Sequence, residues 1–96
     1  LAIFEQKEIR KVWDSETWDW FFSIVDIIWT LTESENPRNY WKVLKNRLNK
    51  EWSQLVTKCD QLKMIAQDGK NRLTDVADIE TILRLIQIIQ LKSLFL

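Results

Sequence analysis

Arg38, Lys42, Lys45 and Asn49 recur at intervals of four, three and four residues, which places them along one line of a helix. Cations on such a line suit phosphate oxygens, and an asparagine among them suits a base edge, since its amide pairs bidentately with adenine. All four belong to NPRNYWKVLKNRLNK, residues 36–50, in which fifteen residues include five basic side chains (Arg38, Lys42, Lys45, Arg47, Lys50) and no acidic one. The whole chain has 14 basic and 14 acidic residues, so its positive charge is gathered in one place. Like charges three or four residues apart each cost a helix a few tenths of a kcal/mol. Cations in a first turn also oppose the helix dipole. The plain alternative is a solvated helix face, because surface helices commonly carry Lys and Arg. A local cost with no local return points instead to an anionic ligand. Zero net charge and a pI near 6.5 count against strong nonspecific binding.

Other chemistry is missing. The chain has no histidine, which removes Ser-His-Asp and Cys-His catalytic sets, and its single cysteine, Cys59, leaves no usual zinc site. One glycine, Gly69, is too few for a phosphate-cradling loop or a dinucleotide fingerprint. Asp75-x-x-Asp78 offers two carboxylates, but a helix start explains them better through its N-terminal dipole. Cys59 has only Lys58 beside it in sequence to activate it and reads as a packed thiol. No enzyme activity, cofactor, metal or small-molecule substrate is expected. One cysteine and the absence of a signal peptide fit a reducing, cytoplasmic setting. The apolar tract 82–96 is broken by Arg84, Gln87, Gln90 and Lys92, so no membrane span is expected.

Ninety-six residues support one domain, with 46% hydrophobic residues available for a core. The chain opens on Leu1 rather than Met and is read as residues 1–96 of a longer protein, its N-terminal part. Residues 3–13 and 17–22, rich in β-branched and aromatic side chains, read as a hairpin about the turn Asp14-Ser15-Glu16. In its second strand Trp18, Trp20 and Phe22 share a face. Four of the six tryptophans (Trp18, Trp20, Trp41, Trp52) read as structural, with Trp13 kept as a possible contact. Ser23 and Asp26 resemble a capping box for a helix over 24–31. Asn36-Pro37 is a strong helix start, for a helix to about Trp52 with Tyr40, Trp41, Leu44, Leu48 and Trp52 facing the core. Residues 62–73 form a second hairpin, with Asp68-Gly69 suited to a type I′ turn. Thr74 or Asp75 then caps a third helix, through about Gln90. The result is a small α+β domain of order ββααββα, with two antiparallel hairpins and about three helices. Ile28, Leu44, Leu48, Ile79, Leu83 and Ile86 are its expected core.

IFEQKEIRKVW, WFFSIVDIIWTLT, NPRNYWKVLKNRL and LVTKCDQLKMIAQDGKNRLTDVADIETILRLIQ, taken in order, resemble the N-terminal domain of the BRO family. That domain occurs in phage antirepressor-type proteins, baculovirus BRO proteins and bacterial damage-inducible D-like proteins. The likeness covers residues 3–90, and its motifs are specific as an ordered set rather than singly. It implies an α+β domain that binds DNA, joined to a variable C-terminal domain, in a prophage protein that overrides a repressor and so regulates transcription. It implies no catalytic residues.

Two readings follow. In the first, the 37–52 helix binds DNA: Arg38, Lys42 and Lys45 meet phosphates, Arg47 and Lys50 flank them, Asn49 (with Asn39 and Asn46) reaches bases, and Arg72 adds a backbone contact. In the second, the domain is a protein-interaction module. The apolar 76–89 helix then meets a second copy or a repressor protein.

Overall fold

A computed structural model describes the backbone of residues 2–4, 7–51, 53–66 and 68–93, and side chains from 8 to 91 other than 51, 52 and 67. The elements, in chain order, are strands β1 (Ala2–Phe4), β2 (Lys7–Ile9), β3 (Lys11–Asp14) and β4 (Asp19–Ser23), then helices α1 (Ile24–Thr32), α2 (Pro37–Glu51) and α3 (Ser53–Thr57). Strands β5 (Asp60–Ile65) and β6 (Asn71–Ala77) and helix α4 (Ile79–Ser93) complete them. β1 and β2 form a separate antiparallel ribbon, and the other strands form one antiparallel sheet in the order β3-β4-β6-β5. The class is α+β.

The first expected strand, 3–13, is not continuous. Ala2 pairs with Ile9 in a small ribbon of its own, and the chain leaves the ladder at Arg10. The cause is Asp26 in the first turn of α1. Its Oδ2 accepts the Arg10 backbone N–H at 2.9 Å and the Nε–H at 2.8 Å, while Oδ1 accepts from Nη2 at 3.1 Å. Ser23 caps α1 as expected, accepting the Asp26 N–H on its Oγ at 3.3 Å. The Asp26 carboxylate, however, grips Arg10 rather than completing a box. Arg10 Nη1 also reaches the Ile65 carbonyl at 3.2 Å, so one side chain joins three segments.

The β5–β6 hairpin exists, but with a different turn and a longer second strand than expected. A type I′ turn needs positive φ at both central residues. Only Gly69 has it, at 81°, and the hairpin closes through Gly69 N–H to the Ala66 carbonyl and Ala66 N–H to the Lys70 carbonyl. β6 then runs on to Ala77, because Val76 and Ala77 pair with Ser23 and Phe22 of β4 while Val76 also opposes Asp60 of β5. Thr74 and Asp75 are therefore strand residues and do not cap a helix. The cap is Asp78, whose Oδ1 accepts the Thr81 N–H at 2.9 Å.

One hydrophobic core gathers Ile9, Ile24, Ile27, Ile28, Trp41, Leu44, Leu48, Leu55, Ala77, Ile82, Leu85 and Ile89. Every helix contributes to it, and α1 packs against both α2 and α4. Ile28, Leu44 and Leu48 are buried as expected. Ile79 and Leu83 are not: they are 51% and 54% exposed, and Ile86 is half-buried at the core edge. The core line of α4 runs through Ile82, Leu85 and Ile89, and the Ile79–Leu83 row sits about 100° around from it. Trp52, expected on the core face of α2, lies outside the described residues. Among the described residues no helix is long and apolar enough to cross a membrane.

Candidate nucleic-acid interface

α2 begins where the sequence places it, since Asn36 Oδ1 accepts the Asn39 N–H at 3.1 Å and Pro37 occupies the first helical position. Trp41, Leu44 and Leu48 are pressed into the core, so the opposite half of the helix must face solvent. Arg38, Asn39, Lys42, Val43, Asn46, Arg47, Asn49 and Lys50 are all exposed there. At about 100° per residue, Arg38, Asn49 and Lys42 form one flank and Arg47 the other, with Asn46, Asn39 and Lys50 between them. Fifteen residues span about 22 Å at 1.5 Å each. Among the described residues no carboxylate lies within ion-pair distance of Arg38, Lys42, Arg47 or Lys50.

The expected set does not assemble whole. Lys45 is half-buried, with its Nζ 3.7 Å from Asp75 Oδ2 and 5.8 Å from the Trp41 ring centroid. It belongs to the anchor of α2 rather than to its open face. Arg72, exposed on β6, is paired too: its guanidinium binds the Asp68 carboxylate across the β5–β6 turn. That pairing, helped by the Lys70 N–H, keeps the Asp68 carboxyl below its ordinary range. The free cations among the described residues of α2 are thus Arg38, Lys42, Arg47 and Lys50, with Asn49 beside them.

Sequence reasoning missed Asp75. Its Oδ2 takes the Trp41 indole N–H at 2.6 Å, and its Oδ1 takes the Gln61 amide at 2.8 Å. One strand carboxylate therefore pins α2 to the sheet on the side that its apolar stripe already buries. Period-two counting through β6 could have found it, had the strand been extended to Ala77. The same carboxylate acts on Cys59, whose thiol is pushed up to about 11, by burial first and then by Asp75, against the opposing pull of Lys45. Cys59 packs at the edge of the core, as expected. Among the described residues no group of acidic or sulfur side chains is placed to hold a metal ion.

Ile9 and Ile28 fill the core, Arg10 and Asp26 clamp the hairpins to α1, and Trp41 and Asp75 seat α2. Compared with protein-family models, curated proteins and solved structures, the chain matches none.

Proposed function

We propose that this domain binds duplex DNA through the solvent-facing half of α2. The observation that carries the reading is the set of four exposed cations on a rigidly seated helix, with no acid among the described residues to neutralise them. A B-DNA major groove admits one α-helix. Laid there, the flanks bearing Arg38 and Lys42 on one side and Arg47 on the other approach the phosphate rows. Asn39 and Asn46 face the bases between them, with Asn49 beside Lys42. Phosphate contacts set orientation and affinity, and the asparagines supply the sequence preference. The likeness to the BRO N-terminal domain supports the same reading and adds a setting, a prophage antirepressor-type regulator of transcription.

The test is a fluorescence-anisotropy titration of duplex DNA at two salt concentrations, comparing the native chain with the triple variant Arg38→Glu, Lys42→Glu, Lys50→Glu. All three side chains are exposed, so folding is expected to be retained. Affinity should fall, and the slope of log affinity against log salt should flatten by about 2–3 units, at about 0.9 for each phosphate no longer neutralised. An unchanged titration with a folded triple variant would reduce the basic run to a solvated helix face.

A second reading rests on a separate observation, the Ile79–Leu83 row left exposed on α4. On this reading α4 meets a second copy or a repressor protein. Such association is apolar and nearly independent of salt, and replacing Ile79 and Leu83 with Gln abolishes it while leaving DNA binding unaltered.

A further inference from the structure

We propose that the tip of the β3–β4 hairpin is a docking site for an arginine- or lysine-bearing segment of a partner protein. Trp13 and Trp20 are cross-strand partners on one face of the ribbon, with ring centroids 5.5 Å apart at 68°. Trp18 adds a third ring, 5.9 Å from Trp13 at 87°. Edge-to-face contacts of this kind stabilise a hairpin, and they account for Trp13 and Trp20. They account less well for Trp18, whose one edge-to-face contact, with Trp13, leaves most of its ring open. It is 78% exposed and its backbone lies in the left-handed region at φ 56°, where a bulky residue is strained and Gly or Asn is at ease. A strained position filled by a large, open aromatic ring points to use rather than to folding.

Charge selects the partner. The turn Asp14–Asp19 carries three acids (Asp14, Glu16, Asp19) and no cation, so it repels phosphate and attracts positive side chains. Asp14 and Asp19 even face each other across the ladder, an arrangement that costs the hairpin stability. The ring faces accept cations already: Lys11 holds its Nζ 4.5 Å from the Trp20 centroid. An incoming guanidinium or ammonium can stack on Trp18 in the same way, within the acidic turn that carries Glu16. Attraction between a cation and an indole face is strongest for tryptophan among the aromatics. The site is therefore opposite in sign to the α2 surface and does not depend on DNA being its ligand.

The experiment titrates the native chain with a fluorescein-labelled hexa-arginine peptide, with hexa-glutamine as the neutral control and single-stranded oligo-dT as the stacking competitor. Hexa-arginine should bind and hexa-glutamine should not. Trp18→Gly should weaken binding about twofold to fivefold, the range expected for one exposed cation–ring contact. It should leave the thermal midpoint nearly unchanged, because glycine relieves the strained backbone while the edge contact with Trp13 is lost. Glu16→Lys, in an exposed turn side chain, tests the same site without removing a ring and should also weaken binding. The Arg38, Lys42, Lys50 triple variant should bind the peptide at least as well as the native chain. Peptide affinity indifferent to both Trp18→Gly and Glu16→Lys would overturn the proposal. So would oligo-dT binding that disappears in Trp18→Gly, since the rings would then be a platform for nucleobases.

Discussion

Asp75 shows how one residue can tie a helix to a sheet. Its two oxygens serve the Trp41 indole, the Gln61 amide and the Lys45 ammonium. Asp75→Ala removes a charged acceptor and leaves the indole N–H in a part-buried site without its partner, which should cost about 1–3 kcal/mol in urea unfolding. Lys45→Ala removes only a partly exposed ion pair, and the cost should stay under about 1 kcal/mol. Equal costs for the two would mean that Asp75 is no hub. Cys59 gives a second residue-scale test. Two pH units above the ordinary 9.0, its thiol should react with iodoacetamide at pH 8 about 100-fold more slowly in the folded chain than in urea, following the thiolate fraction. The folded state holds a proton that the unfolded state releases above pH 9, so the contribution is whole below 9 and is lost as pH rises through about 11. The stability difference between the native chain and Cys59→Ser should therefore shrink over that window.

At the scale of elements, α4 carries apolar residues around more of its circumference than the core can cover. Leu85 is 1% exposed and Leu83 54%, only two positions away. Leu85→Ala should cost about 2–5 kcal/mol through the cavity it leaves, whereas Leu83→Ala should cost far less. Matching losses in denaturant titrations would contradict the helix phase described here. The start of the helix can be tested separately. Asp78→Ala should cost about 1 kcal/mol by removing the side-chain cap at Thr81. Thr74→Ala, were Thr74 the cap, would carry that capping loss instead. Strand pairing explains the choice: with ladders to β4 and β5, the backbone at Val76 and Ala77 is satisfied by the sheet, and the helix cannot begin before Asp78.

For the whole molecule, Arg10 is the tie between layers. It joins the chain before β3 to α1 through Asp26 and to β5 through the Ile65 carbonyl. Since every helix feeds the same core, unfolding should be a single transition, with tryptophan fluorescence and far-UV circular dichroism coinciding. Arg10→Ala should move both probes together by about 1–3 kcal/mol, because it leaves the Asp26 carboxylate without its guanidinium in a part-buried site. Separated transitions would mean that the β3–β4 hairpin is an independent unit. Charge is also arranged at this scale: a chain with no net charge places exposed cations along α2 and carboxylates at the β3–β4 tip.

Much was settled by local chemistry that any reader of the chain can apply. Asn36-Pro37 starts α2, Ser23 caps α1, and the spacing of Trp41, Leu44 and Leu48 assigns the buried half of the basic helix, because caps and helix faces depend on neighbours within four residues. The mixed α+β order followed from the alternation of aromatic and helical periods. What lay beyond local reach were choices made by distant partners. Arg10 left the first strand for a carboxylate sixteen residues away, and β6 absorbed the expected helix start because β4 and β5 satisfied its backbone. Lys45 turned to Asp75, a carboxylate that only the sheet brings beside it. The number of cations in NPRNYWKVLKNRLNK was legible from the start. Which of them remain free was decided only when the chain folded, since an ion pair needs two side chains within a few ångströms and the sheet supplied the second one.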